Sequence, residues 1–474
     1  MNSKKWGLWI LTTFVVGNMV GSGVFMLPSN LSKVASPLSS IIAWGITGLG
    51  VLMIALVFGN LATRKPDLKA GPQSYAMDMF KSPKAGKAAG YSMAWGYWAA
   101  NWAATASVII SFAGYLSTFF PVLESNKVLM KIGSFELEAG KALTLLVCSI
   151  LLWGIQIIVS RSFNSAGKLN LAATAAKVIG FALFVILTLA VFDASDIMKG
   201  VSFSDSEGNS VSLGGQVNSA AIATLWAFIG IEAAVMLSNR AKSQKDVKRA
   251  TLLGLLVAIL IYVGISTLTM GVLPQDQLQG SQKPLADALD AAIGGSAAAI
   301  IAGLALVSLF GAAVGWIIVS SEVPYQAARQ GLFPSFFGRT NKKGAPAGSL
   351  TVTNLMTQIF LFSTVSGTIT EAYDFAIVVA TLAYLIPYLV SSIYSLKLVI
   401  TGETYNTIGG SRIKDGIITL LALGYSLWVI KTGTADLKTF LLGMGLFAVG
   451  LLLYPVLMRS RTEQTGALKE KEQF

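Results

Sequence analysis

Apolar residues run along this chain in long blocks separated by short polar stretches. The blocks fall at 8–33, 39–62, 86–120, 141–162, 167–193, 216–240, 248–275, 284–328, 346–368, 372–398, 414–432 and 437–459. Each is long enough to cross about 30 Å of hydrocarbon, which takes about 20 helical residues at about 1.5 Å per residue. The pattern predicts an all-α integral membrane protein of about 12 transmembrane helices, with little chain left for a soluble domain.

Two blocks are interrupted. The first reads VVGNMVGSGVF over 15–25, placing Gly17, Asn18, Gly21, Ser22 and Gly23 where a spanning helix has its middle. The sixth reads WAFIGIEAA over 226–234, with Gly230 and the acid Glu232. Gly17 and Gly21 alone form a G-x-x-x-G, the pattern of close helix packing. A second glycine break in the sixth block turns the reading toward a ligand site, because the two correspond if 8–193 forms one five-helix half and 216–398 an inverted copy. Paired breaks of this kind point to a transporter with its site at the breaks. On this reading 1–460 is one polytopic domain, 414–459 adds two C-terminal helices, and 461–474 is a tail.

Unwound backbone survives in hydrocarbon only where it is buried in protein or lines a wet cavity. The half-helix that follows such a break offers free N–H groups and a partial positive charge, which suit a carboxylate. Gly21 and Gly23 let backbone approach a ligand, and Ser22 adds a hydroxyl donor.

Composition agrees: of 474 residues 54% are hydrophobic and 12% charged, with a mean hydropathy of +0.67. The formal charge of +12 changes the picture only through its placement. Basic residues gather in every second loop, at Lys4 and Lys5, Arg64 to Lys87, Arg161 and Lys168, Arg240 to Arg249, and Arg329 to Lys343, while the intervening loops carry Glu124, Glu136, Asp193, Asp205 and Asp276. That alternation predicts both termini in the cytoplasm of a multi-pass cell-membrane protein, and it removes nucleic acid as the reason for the charge. Arg459, Arg461, Lys469 and Lys471 suit a tail that touches anionic lipid. The first block lacks a small-residue cleavage site and is expected to remain as a span.

Histidine is absent and Cys148 is the single cysteine. Imidazole catalysis, thiolate metal clusters and disulfides are therefore excluded, and neither a cofactor nor a metal is expected. An enzyme would need a nucleophile with a base, and a channel would need rings of like charge or a repeated carbonyl filter. Neither pattern is present in the sequence.

The segments GNMVGSGVFMLP, LWAFIGIEAA and GWIIVSSEVPYQAARQGLFP (315–334) resemble the amino acid–polyamine–organocation superfamily, and within it the basic amino acid/polyamine antiporters of arginine/ornithine or arginine/agmatine type. The resemblance covers about residues 8–460. It implies a five-plus-five inverted repeat with the first and sixth helices broken, two further helices, and exchange by alternating access. The implied partners are an amino acid or polyamine and the lipid bilayer, and a homodimer is compatible with it.

The resemblance also implies roles. Ser22 and Gly23, with backbone around Met19 and Gly21, would hold the substrate carboxylate, and carbonyls at Trp226, Ala227 and Ile229 its amine, while Asn18 keeps the match at a substrate-binding position. Trp316 matches the tryptophan that stacks on a guanidinium, an interaction of about 2 kcal/mol once desolvated. Trp226, Tyr97, Tyr373 and Tyr388 match aromatic gates. Asn101 and Thr105 stand at ligand-facing positions where the arginine/agmatine exchangers carry a small thiol residue and an asparagine, and Ala380 stands where they carry a serine.

Two intramembrane charges complete the candidates. An acid at bilayer depth costs at least about 2.5–3.5 kcal/mol, so Glu232 is a candidate for coupling gate opening to charge. Lys177, in AATAAKVIGF, matches the place of a sodium ion in related sodium-coupled transporters. Arginine/agmatine exchangers typically lack this lysine and several proton-coupled relatives have it. The sequence therefore supports exchange of arginine, ornithine or lysine, with proton-coupled symport of basic or neutral amino acids through Lys177 and Glu232 as the alternative.

Overall fold

The computed structural model describes residues 5–455 apart from 22, 133–134, 199–201, 205–207, 282–283, 295–296, 367–368, 434–440, 442–443 and 446–447. Side chains of 366–379 also lie outside the described set, so the expectations for Ser22, for the Tyr373 side chain and for the 461–474 tail fall outside the described residues.

The first apolar block forms α1 (Leu8–Met19) and α2 (Gly23–Ser32), followed by α3 (Pro37–Arg64), the short α4 (Pro72–Asp78) and the long α5 (Pro83–Leu116). A hairpin of β1 (Val128–Ile132) and β2 (Phe135–Glu138) leads to α6 (Ala139–Arg161) and α7 (Phe163–Leu189). After the short α8 (Ala194–Met198), the sixth block forms α9 (Leu213–Phe228) and α10 (Ala233–Met236), followed by α11 (Gln244–Met270) and α12 (Gln275–Gly280). Then come α13 (Pro284–Ile293), α14 (Ala297–Arg329), α15 (Ala347–Leu361), α16 (Ser363–Ser366), α17 (Ile369–Thr401), α18 (Tyr405–Ile408) and α19 (Arg412–Gly433).

Among the described residues, ten spans are long and apolar enough to cross a membrane, counting α1 with α2 and α9 with α10 as one each. Two expectations need correction. The chain is not wholly α, because the loop between α5 and α6 pairs β1 with β2 antiparallel; this segment lies between apolar blocks, outside the 20-residue runs that force a helix. The 284–328 block is also not one helix. Gly294, at φ +80°, closes α13 with its N–H on the Asp290 carbonyl at 2.8 Å, a left-handed ending that only glycine takes without strain.

Helix starts follow local chemistry. Ser36, Ser162, Ser212 and Ser243 cap α3, α7, α9 and α11, each hydroxyl accepting from a backbone N–H three residues on. Such caps satisfy donors that the helix itself leaves free. The bundle then packs α5 along α14 and α17, α1 along α7 and α11, and α14 along α7. The two interrupted segments thereby lie at the centre of the molecule. Where α7 meets α14 the backbones come close enough that a Cβ at Gly311 would stand 2.4 Å from Ala173 Cβ.

Candidate functional site

The first break lies between Met19, the last residue of α1, and Gly23, the first of α2. Val20 N–H still reaches the Val16 carbonyl at 2.8 Å, but Gly21 N–H turns back to Met19 O at 2.7 Å, and the helix stops. The second break spans Ile229 to Glu232 between α9 and α10. Gly230 has φ +108°, and a Cβ there would lie 2.9 Å from Asn18 Cβ and 3.0 Å from Asn18 C. Only glycine allows the two broken segments to touch in this way. Gly230→Ala is accordingly expected to destabilise the fold by about 1–3 kcal/mol. A thermal melt in detergent reads this, and a melting midpoint equal to that of the parent would refute it.

A small pocket opens where the breaks meet. Asn18, Met19, Gly21 and Gly23 line it from the first break, and Trp226, Ala227 and Ile229 from the second. Ala104, Ser107 and Val108 of α5 form another wall, and Trp316 of α14 completes it. The Trp226 indole lies against Gly23, whose missing Cβ would be 3.3 Å from Trp226 Cδ1. Trp316 is buried and oriented: its indole N–H donates to the Asn18 carbonyl at 3.1 Å, and its ring meets Tyr384 edge-on at 6.0 Å.

Eight sequence candidates thus converge on one cavity: Asn18, Met19, Gly21, Gly23, Trp226, Ala227, Ile229 and Trp316. Others sit elsewhere. Asn101 and Thr105 do not line the pocket; both are fully buried in a cluster with Ser320, whose hydroxyl lies 3.1 Å from Thr105 Oγ1 and donates to Asn101 Oδ1 at 3.3 Å. Ala380, also fully buried, is not a lining residue either. The carbonyls expected to be free at the second break have protein partners: Ala227 O accepts from the Tyr262 hydroxyl at 2.6 Å and Trp226 O from Ile229 N–H at 3.2 Å. A carbonyl has a second lone pair, which is what remains for a ligand.

Tyr97 and Tyr388, expected at aromatic gate positions, converge on Glu232. Their hydroxyls donate to Glu232 Oε1 at 2.6 Å and to Oε2 at 2.7 Å, and Gly230 N–H donates to Oε2 at 3.2 Å. The carboxylate is fully buried, and three donors from α5, α17 and its own loop satisfy it. Glu232 therefore ties the second break to two neighbouring helices.

Lys177, on α7, performs the matching task at the first break. Its ammonium donates to Gly17 O at 3.1 Å and to Val20 O, carbonyls at the end of α1 where the macrodipole is negative. The side chain is 3% exposed, so a cation replaces the hydrogen bonds that the stopped helix lacks.

The start of the described chain is tied to the segment after the second break. Trp6 exchanges backbone hydrogen bonds with the segment after α10: its N–H donates to Arg240 O at 2.8 Å, and its carbonyl accepts from Lys242 N–H at 2.8 Å. The Trp6 ring stacks on Phe14 and Phe163, and the Arg240 guanidinium lies 4.0 Å over the Phe163 ring. Arg240 Nε donates to the fully buried Glu322 of α14 at 2.8 Å, and Gln326 donates to the other Glu322 oxygen at 2.5 Å. This latch joins the chain start, the end of the second break and α14.

Comparison with known proteins gives a consistent result. A family model described as amino acid permease matches residues 7–451. A protein of Bacillus subtilis named "Putative arginine/ornithine antiporter" is 56% identical over 455 residues, covering 96% of this chain and 97% of its own. The "Arginine/ornithine antiporter" of Pseudomonas aeruginosa is 34% identical over 459 residues, covering 96% of this chain and 91% of its own.

Proposed function

This chain belongs to the amino acid permease family, and from that premise we propose that it exchanges arginine for ornithine across the cell membrane by alternating access. It is a multi-pass transporter and not an enzyme. The observation that carries the reading is the pocket formed where two broken helices meet, with one tryptophan against Gly23 and another held across from it.

The chemistry of a basic amino acid fits those walls. Its α-carboxylate faces the N-terminus of α2 at Gly23, with Ser22 adjoining, and its α-amine faces the second lone pairs of the Trp226 and Ala227 carbonyls. The distal cation lies over Trp316, which favours a guanidinium or ammonium without a buried counter-charge. A charge carried by the substrate and balanced by substrate exchange needs no coupling ion. Lys177 is engaged by two backbone carbonyls at the first break, where it holds the end of α1.

Alternating access follows if the latch at Trp6, Arg240 and Glu322 opens while Trp226 closes over the pocket. In this reading 8–193 and 216–398 are the two inverted halves, two helices follow them, both termini face the cytoplasm, and a homodimer is compatible. Proteoliposomes of purified protein test it. Labelled arginine is expected to enter vesicles loaded with ornithine and not vesicles loaded with buffer. Accumulation in buffer-loaded vesicles under an imposed proton gradient would overturn exchange.

A further inference from the structure

Two buried amides beside the pocket are unaccounted for. Asn18 and Asn170 are 2% and 0% exposed, and among the described residues neither their amide oxygens nor their amide nitrogens have a hydrogen-bond partner. Buried amides are seldom left so. The two reach into one gap from different helices: a Cβ on Gly315 of α14 would stand 2.4 Å from Asn18 Oδ1 and 3.1 Å from Asn170 Oδ1. A Cβ on Gly17 would likewise stand 3.1 Å from Asn170 Oδ1 and 3.0 Å from Thr174 Oγ1. The absence of a Cβ at these two glycines thus lets three amide atoms and a hydroxyl approach the same stretch of α1 and α14.

The spacing on α7 explains why the polar groups face α1. Asn170, Thr174 and Lys177 follow one another at helical intervals on one face. Thr174 donates to Thr13 O at 3.3 Å and Lys177 to Gly17 O at 3.1 Å, so this face follows α1 down to its break. Asn170 completes the row but reaches no backbone group of α1. The residue opposite is Asn18, which lines the pocket and whose own carbonyl holds the Trp316 indole.

We propose that Asn170 is a positioning residue: with Thr174 it holds a water molecule that hydrogen-bonds the Asn18 side chain and fixes it at the pocket wall. Unpartnered amides from two helices beside a hydroxyl offer the two to four polar contacts that a buried water needs. The water satisfies amides that the packing of α1, α7 and α14 keeps apart. Asn170 touches no substrate, so its influence on the pocket passes through Asn18. The effect on transport rests on the antiport reading above; the amide pair itself does not.

The test is a double-mutant cycle on the full chain. In ornithine-loaded proteoliposomes Asn170→Leu is expected to raise the arginine KM about tenfold, the worth of one well-made hydrogen bond, with kcat within about twofold. Asn170→Ser, which keeps a polar group and leaves room for water, is expected to stay within about threefold of the parent KM. In an Asn18→Ala background Asn170→Leu is expected to add less than about twofold, because the route is already cut. Multiplicative KM effects, or an equal loss in kcat, overturn the proposal. If Asn170→Leu does not fold, Asn170→Ala against Asn170→Ser carries the same comparison, and equal KM values for the two overturn it. Melting midpoints of the substrate-free protein close the cycle: coupling between 18 and 170 without exchange of any basic amino acid supports the pair and refutes the antiport reading. Additive midpoints with normal exchange refute the pair.

Discussion

Arg240→Ala is expected to destabilise the protein by about 3–5 kcal/mol, because it leaves a buried carboxylate without its counter-charge. Glu322 is fully buried and receives Arg240 Nε at 2.8 Å, with Gln326 as its other donor. The same substitution removes the cation over Phe163 and so loosens the stack that holds Trp6. A second change separates charge from shape. Glu322→Gln removes the buried charge and keeps an acceptor for Gln326, so the double variant Arg240→Ala with Glu322→Gln is expected to regain most of the lost stability. Thermal melts in detergent measure both. A single variant that melts with the parent would show that the latch contributes nothing to stability. The latch also predicts a transport phenotype: the double variant, folded but unlatched, is expected to exchange with an altered rate while retaining specificity for basic amino acids.

Trp316→Ala is expected to raise the KM for arginine about thirtyfold, the equivalent of about 2 kcal/mol from a desolvated cation over an indole. Trp316→Phe separates the two functions of the ring. Phenylalanine keeps an aromatic face but has no N–H for the Asn18 carbonyl. An intermediate KM for Phe is expected, since part of the ring quadrupole remains while the anchor to the first break is lost. If Ala and Phe bind arginine as the parent does, the distal cation does not lie on Trp316. Neutral amino acids supply the control, because a cation–ring contact is absent for them and their competition with arginine should be unchanged.

Much of the site was legible in sequence because helix breaks are a local matter. A glycine cluster within an apolar block signals unwinding wherever the block lies, so the two breaks could be identified without knowing their neighbours; the resemblance then named Asn18, Met19, Gly21, Gly23, Trp226, Ala227 and Ile229, all of which line the pocket. That Glu322 needs a donor was also within reach, since a buried carboxylate requires one, but that Arg240 supplies it, 82 positions away, was not. The facing of α5 was not legible. Nearly every residue from Met93 to Ile110 is buried, so its apolar pattern points in no direction. Resemblance brought forward Asn101 and Thr105, whereas the rotation of the packed helix presents Ala104, Ser107 and Val108 to the pocket. Ser107, a polar residue in that wall, was the one signal that could have been taken up.

The sequence by itself determined that the chain crosses a membrane many times and that its first and sixth apolar blocks are broken, because both follow from runs of residues read in order: hydrocarbon thickness sets span length, and clustered glycines set these two breaks. It also determined that two charges would lie among the spans. Only the tertiary structure decided what those charges touch. Lys177 and Glu232 could each have faced the ligand, and each instead closes hydrogen bonds at a helix break, one with carbonyls of α1 and the other with Tyr97, Tyr388 and Gly230. Those partners lie between 135 and 160 positions away in the chain, apart from Gly230. Contacts at that separation are set by how helices rotate and approach one another, and no local pattern of residues encodes that.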